Sequence, residues 1–531
     1  MLNKKIIVLT ILLVSLLAIS AVSAADNATS DVVSVENNVT GDVVSVEETT
    51  DAISVEEADE VVSAEDNQVI GSTGDVGTFS ELADSIRTLN QQGNLNLKKD
   101  YAYDDSFSID GIIINEPQVT IDGQGHTIDA KGLSKIFNVQ APLVVIKNIV
   151  FKNAIADKDF GAAICGIDYS PSIKNCRFVN CFSYVGGAIS SRGSDIEGCT
   201  FINCSAKCGG AIHCPYGGNI GGCSFINCSN NWGEGDGGAI YAMKDTNIKD
   251  CSFINCFGYP GVISRNDGGN IEGCTFINST GDHDIDAGAN IKKCTFINFI
   301  SLAISGSVEG CTFINQTILD DSVIYLNGGS IKDCCFINFS AERGAAIYCG
   351  YGDCDIGGCT FINCSATEVG GAIYDEIRVN GLTNIKDCSF INCSAADGGA
   401  ICSFACIIDG CSFVNCSAKY SGSAIHFGDG SKEKTIKNCD FNNVLNDIWY
   451  SDYPVDVSDI SIEGNKYSFS FDLSSNSYVS LTKDYLTSSP IGVNVNNIVF
   501  DGNGNTFTFM NKSGRFFLYY WSKCYIEKFC F

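Results

Sequence analysis

The sequence predicts an all-β fold, a parallel β-helix solenoid capped by one short N-terminal helix. Three observations lead there. A unit Cys-x-Phe-x-Asn recurs, with its Cys at 176, 199, 223, 251, 274, 294, 311, 334, 359, 388, 411 and 439. After a variable gap comes Gly-Gly-Ala-Ile or a close variant, as in Gly209-Gly210-Ala211-Ile212. The intervals cluster near 23 residues yet stretch from 17 to 29, which is how stacked coils that tolerate insertions read.

Taken in order, residues 1–25 have the form of a secretory signal peptide. Lys4 and Lys5 start it, Ile6 to Ile19 is apolar, and Ser23-Ala24-Ala25 offers a small-x-small cleavage site. The apolar run is short for a membrane span of about 20 residues. No later stretch is long and apolar enough to replace it, so no transmembrane span is expected after cleavage. Residues 26–77 carry 14 acidic residues and no Lys or Arg, in loose copies such as Asp31-Val-Val-Ser-Val-Glu36. Self-repulsion and the absence of aromatics predict a disordered, extended tail.

Thr78 and Glu81 fit a capping box, and Phe79, Leu82, Ile86 and Leu89 fall on one helical face. A helix here would cover the open edge of the first coil. From Leu95 the pattern becomes short strands split by Gly, Asn and Asp. Thr120-Ile121-Asp122-Gly123-Gln124-Gly125-His126-Thr127-Ile128-Asp129 forms an opening unit. The coils then span 78–450 with their cap. Twelve to fourteen of them, rising about 4.8 Å each, would make a rod roughly 60 Å long. Residues 451–531 leave the pattern. Val479 to Tyr485 and Ile498 to Phe507 echo Leu95 to Tyr101 and Val119 to Ile128, as if opening a second solenoid.

Stacked coils turn each position of the unit into a column. The Phe residues at 178, 201, 225 and onward would stack in the core. The Asn residues at 180, 203, 227 and onward would form a buried amide ladder. That ladder is preferred over N-glycosylation at Asn203-Cys-Ser and its equivalents, and the tail residues Asn27 and Asn38 are better acceptors. The chain holds 29 Cys. Stacked Cβ atoms near 4.8 Å apart are too distant for disulfides, which want about 3.5–4.5 Å. Most Cys therefore read as small buried hydrophobes, with Cys208 and Cys214, or Cys349 and Cys354, left as loop pairs that could join.

These units, together with the opening motif and the secretion signal, resemble the adhesin-like surface proteins of methanogenic archaea. The coils are also similar to the repeats of chlamydial polymorphic membrane proteins. The resemblance covers about 95–531. It implies a right-handed parallel β-helix of the pectate-lyase-like type and a role in attachment at the cell surface.

Composition narrows the partners. A net charge of -29 argues against nucleic acid and anionic membrane. No Cys-x-x-Cys knuckles appear, so no metal and no cofactor are expected. Arg177, Arg192, Arg265, Arg343 and Arg378 are scattered, and the His residues at 126, 213, 283 and 426 lie far apart, so no catalytic set converges and no enzymatic activity is expected. Loop insertions are the candidate binding surface. Trp232 and Asp236 in one loop, and Tyr374 and Arg378 in another, combine aromatic rings with charge in the way that suits a sugar. The leading functional reading is a secreted surface protein that attaches to polysaccharide or to another cell. The alternatives are a β-helical polysaccharide lyase or hydrolase, and a structural component of the envelope.

Overall fold

The structure, a computed structural model, describes residues 76–444 apart from short stretches that include 231–235, 318–323, 377–380 and 429–433, and beyond 444 it gives strand positions only. The expected signal peptide and nearly all of the acidic tail lie outside the described residues.

Each coil contributes short strands to different faces. In one coil these are Asp195–Glu197, Thr200–Ile202 and Ile212–Cys214. Every strand pairs in parallel with the same strand of the next coil, so Ile196 meets Ile220, Phe201 meets Phe225 and Ile212 meets Ile240. Repeated over about 13 turns, this builds a 20-stranded sheet that carries the Phe column, a 15-stranded sheet of Ala-Ile strands and a 16-stranded sheet of Ile-x-x strands. The all-β parallel β-helix expected from the repeats is therefore present, and among the described residues one helix stands at its head.

That helix, Phe79–Arg87, begins as the capping box requires. Thr78 accepts from the Glu81 backbone while the Glu81 carboxylate accepts from Thr78. Its buried face, Phe79, Leu82, Ala83 and Ile86, seals the first coil. Phe79 meets Tyr103 and Phe107 edge-on, at 5.6 and 6.0 Å between ring centroids. In the opening unit, Asp100 holds His126 Nδ1 at 3.0 Å and the Thr127 N–H at 2.9 Å, so His126 fixes a corner. A Cβ on Gly123 would fall 2.4 Å from the Asn148 carbonyl oxygen of the coil above.

The interior is a set of stacked columns. Phe rings from Phe151 to Phe441 follow one another at 4.6–5.0 Å and within 10° of parallel. Beside them runs the cysteine column. The N–H of Cys176 donates to Cys199 Sγ at 3.4 Å, and Cys199 repeats the contact to Cys223. These thiols are free and buried, as the stacking argument required. A second column holds Cys181, Cys204, Cys228 and Cys256, with Ser279 in the next coil.

The amide ladder also forms, but on the surface, which corrects its expected burial. Asn203 Nδ2 donates to Asn180 Oδ1 at 3.2 Å, and Asn227 to Asn203 at 3.1 Å. Asn203 itself is exposed. The reason is conformational. Each Asn ends its Phe strand at φ near +50° and turns the outer corner, a left-handed state that Asn tolerates better than most residues. Its side chain therefore lies along the edge of the coil. Across coils, the Ile-x-x face is laced by exposed pairs such as Lys174–Glu197 and Lys292–Glu309, both 2.9 Å, each contributing little but together separating like charges.

Strands beyond residue 470 pair in small sheets of their own. Val479 lies opposite Phe500, and Leu95 lies opposite Ile121.

Candidate functional site

Two of the four residues singled out from the sequence, Asp236 and Tyr374, are described by the structure. Trp232 and Arg378 lie outside the described residues. Asp236 is half-buried before Gly237. Tyr374 is not on a loop. It is the middle residue of the strand Ile373–Asp375 and is buried, 5% exposed. Its ring face is therefore not open to a sugar.

Tyr374 does belong to a cluster that isolated loops could not reveal. The Ile-Tyr dipeptides at 324–325, 347–348 and 373–374 stack in register, so Tyr325, Tyr348 and Tyr374 line one outer column. Tyr325 and Tyr348 lie 4.7 Å apart, and Tyr348 meets Tyr374 edge-on at 5.4 Å. The Arg343 guanidinium stands 5.9 Å from the Tyr374 ring, and the Tyr348 hydroxyl donates to Glu376. Burial, and then the Glu376 carboxylate, push the Tyr348 phenol well above its ordinary range, so it stays a proton donor at neutral pH.

The same outer column carries two histidines. His213 Nδ1 and Ser190 Oγ are 2.9 Å apart, and the imidazole stacks on Tyr241 at 5.3 Å. Burial lowers the His213 pKa from 6.5 to about 4. The folded state thus holds the ring neutral where the unfolded chain would protonate it. That contribution to stability is complete above the unfolded pKa of 6.5 and fades as pH falls from 6.5 towards about 4. Its full size is about 3 kcal/mol. Thermal melts across that range should show a smaller acid loss for His213→Gln than for the native chain. Equal losses would count against it. At His426, Ser421 accepts from Nδ1 at 2.9 Å and donates to Asp397. With its proton committed to a carboxylate, this serine is not set up as a nucleophile activated by the imidazole.

An open groove of about 400 Å³ crosses the first full coils, lined by Asp129, Lys131, Gly132, Asn153, Ile155, Asn180 and Phe182. Three coils build it. Asp129 Oδ1 accepts from the Lys131 N–H at 2.7 Å and from Asn153 Nδ2 at 3.0 Å. Asn180 Nδ2 donates to Asn153 Oδ1 at 3.3 Å, continuing the amide ladder as one wall. Lys131 reaches back so that Nζ lies 2.9 Å from the Tyr103 carbonyl. Phe182 and Ile155, the latter 37% exposed, add apolar surface to the lining. Amide and carboxylate edges that can meet hydroxyl groups, an apolar face for C–H groups and one ammonium form a saccharide-type lining. Asn180 stood out in the sequence as a ladder position and Asp129 as part of the opening unit, but the groove did not, because its residues sit 24–27 apart and meet only through the register of the coils.

Among the described residues, no group of three or more His, Cys, Asp or Glu is placed to hold a metal ion. No helix among them is long and apolar enough to cross a membrane.

No known protein family matches the chain, and no curated protein matches its sequence. Solved structures with a similar course include the alginate lyase AlyF-OU02, at 12% identity over 85% of this chain and 87% of that chain, TM-score 0.29. A mannuronic acid-specific polysaccharide family 6 lyase from human gut microbiota matches at 10% identity over 75% of this chain and 86% of that one, TM-score 0.30. The PL6 alginate lyase AlyGC matches at 8% identity over 85% and 99%, TM-score 0.25. Each of these neighbours is a polysaccharide lyase, which overturns the expectation that the chain has no enzymatic activity. At these identities and TM-scores, none of them lends this chain a substrate or a residue's role.

Proposed function

We propose that this is a secreted β-helical protein that engages polysaccharide on its outer surface, and that eliminative cleavage of uronate polymers is the activity to assay. The groove between Lys131 and Phe182 carries this reading. There hydrogen-bonding edges, an apolar face and a cation converge on a space that takes a short stretch of sugar chain. The Lys131 ammonium favours a carboxylated sugar there, while the acidic surface keeps polyanions from binding elsewhere.

Affinity electrophoresis through gels containing neutral or uronate polysaccharides tests the binding. Retardation is expected in at least one polymer and should fall several-fold in Lys131→Glu and Phe182→Ala. No retardation in any polymer would reject the proposal. Ultraviolet absorbance of the unsaturated uronate and new reducing ends report cleavage in the same mixtures. Retention with turnover assigns the protein to the lyases. Retention without turnover assigns it to attachment, a reading that the regular rod and its surface-presented loops support.

A further inference from the structure

The interior of the solenoid has one corner where side chains from two faces point at each other instead of lying side by side. It lies between the end of each Ala-Ile strand and the start of the next Ile-x-x strand. Register places Leu326, Cys349, Asp375 and Ser403 in one column of this corner. The facing column holds Gly329, Cys354, Thr383 and Cys406. An earlier coil supplies Cys214 opposite Gly218, the Gly paired onward with Thr246. Among these facing pairs, Cys349 with Cys354 alone has a thiol on both sides.

Two distances show how closely the columns approach. A Cβ built on Gly218 would lie 3.0 Å from Cys214 Sγ. A disulfide, with an S–S bond of about 2.05 Å, puts each sulfur about 3 Å from the opposite Cβ. Cys354 Sγ donates to the carbonyl of Leu326 at 3.8 Å, and Leu326 is the residue directly beneath Cys349. The Cys354 side chain is thus aimed across the corner at the column that contains Cys349. Both are fully buried. The stacked cysteines elsewhere differ in kind. Their Cα–Cβ bonds run nearly parallel, about 4.8 Å apart, and Sγ atoms such as those of Cys199 and Cys223 accept an N–H from the neighbouring coil.

We propose that Cys349 and Cys354 are a site of oxidative modification and close to a disulfide that staples the turn 350–353. The reaction is thiol–disulfide exchange with a small-molecule disulfide. The two S–H bonds break and one S–S bond forms. The small-molecule disulfide takes up two electrons and the two protons and leaves as two thiols. The turn that the bond closes carries Tyr351, 77% exposed, on the outside of the rod. An oxidising compartment, where the expected signal peptide would deliver the chain, permits the bond to persist.

The full chain refolded in a mixture of oxidised and reduced glutathione, so that the thiols meet the oxidant before they are buried, tests this. It is then denatured, alkylated and digested with chymotrypsin, which cuts after Tyr351 inside the turn. The expected result is that the fragments bearing Cys349 and Cys354 stay joined, two hydrogens lighter than their sum, and part on reduction. Cys176, Cys199 and Cys223 should be alkylated in the same sample. Alkylation of both Cys349 and Cys354, or a bond from either to another cysteine, would overturn the assignment. In Cys354→Ser, Cys349 should become alkylated or carry glutathione, and a bond from it to a different cysteine would also overturn the assignment. The measurement on the native chain stands whether or not this variant folds.

Discussion

Gly209→Ala is expected to destabilise the solenoid by about 4 kcal/mol or more, the range reserved for changes that strain a backbone with no room to relax. Gly209 sits at φ +64°, and a Cβ there would lie 2.2 Å from the carbonyl oxygen of Ile212, within the same turn. The left-handed conformation alone costs an alanine roughly 1–2 kcal/mol. The contact adds the larger part, because the obstructing atom is backbone that is already engaged in the Ala-Ile strand. The same corner recurs at Gly186, Gly237, Gly370, Gly398 and Gly422, at φ +62° to +74° and with the obstructing carbonyl 2.2–2.3 Å away. Gly125 separates the two effects. Its φ is +85°, yet nothing lies within 4 Å of its Cβ position. Gly125→Ala should therefore cost only about 1–2 kcal/mol. Denaturant midpoints for the two variants decide the matter, and equal losses would refute the steric account.

This corner also shows what could be read from the residues alone. Gly-Gly-Ala-Ile announced a position that only glycine fits, and Cys-x-Phe-x-Asn announced columns that do stack. Both follow from local chemistry repeated at a regular interval. The placement of Asn203 did not follow, because burial of the ladder depends on the positive φ that ends the strand, and that φ is not part of the motif. The groove at Lys131 escaped notice for a related reason. Asn180 is visible as a ladder position and Asp129 as part of the opening unit, but Lys131, Ile155 and Phe182 occur in coils of unequal length and share no motif. Tyr374 was noticed for its ring and its neighbouring charges. The Ile-Tyr repeats at 324, 347 and 373 were the signal that it belonged to a stacked outer column.

Phe225→Ala should cost about 3–5 kcal/mol, the usual loss for emptying a buried aromatic site. Phe225 is fully buried. It stacks 4.8 Å from Phe201 and 4.8 Å from Phe253, within 4° of parallel on both sides. In an ordinary core, neighbours can collapse into part of the cavity. Here they cannot, because backbone hydrogen bonds on three faces fix the rise of every coil, and Phe201 and Phe253 are each held by a further ring beyond. The cavity therefore persists, and the loss should lie at the upper end of that range. Phe225→Leu refills most of the volume and should recover about half of the loss. Phe201→Ala combined with Phe225→Ala joins two cavities, so the double loss should differ from the sum of the single losses by more than about 0.5 kcal/mol. Equilibrium unfolding of the four variants tests the argument. Strict additivity, or a loss under about 2 kcal/mol for Phe225→Ala, would mean that the column relaxes and that the spacing of the coils is not the constraint.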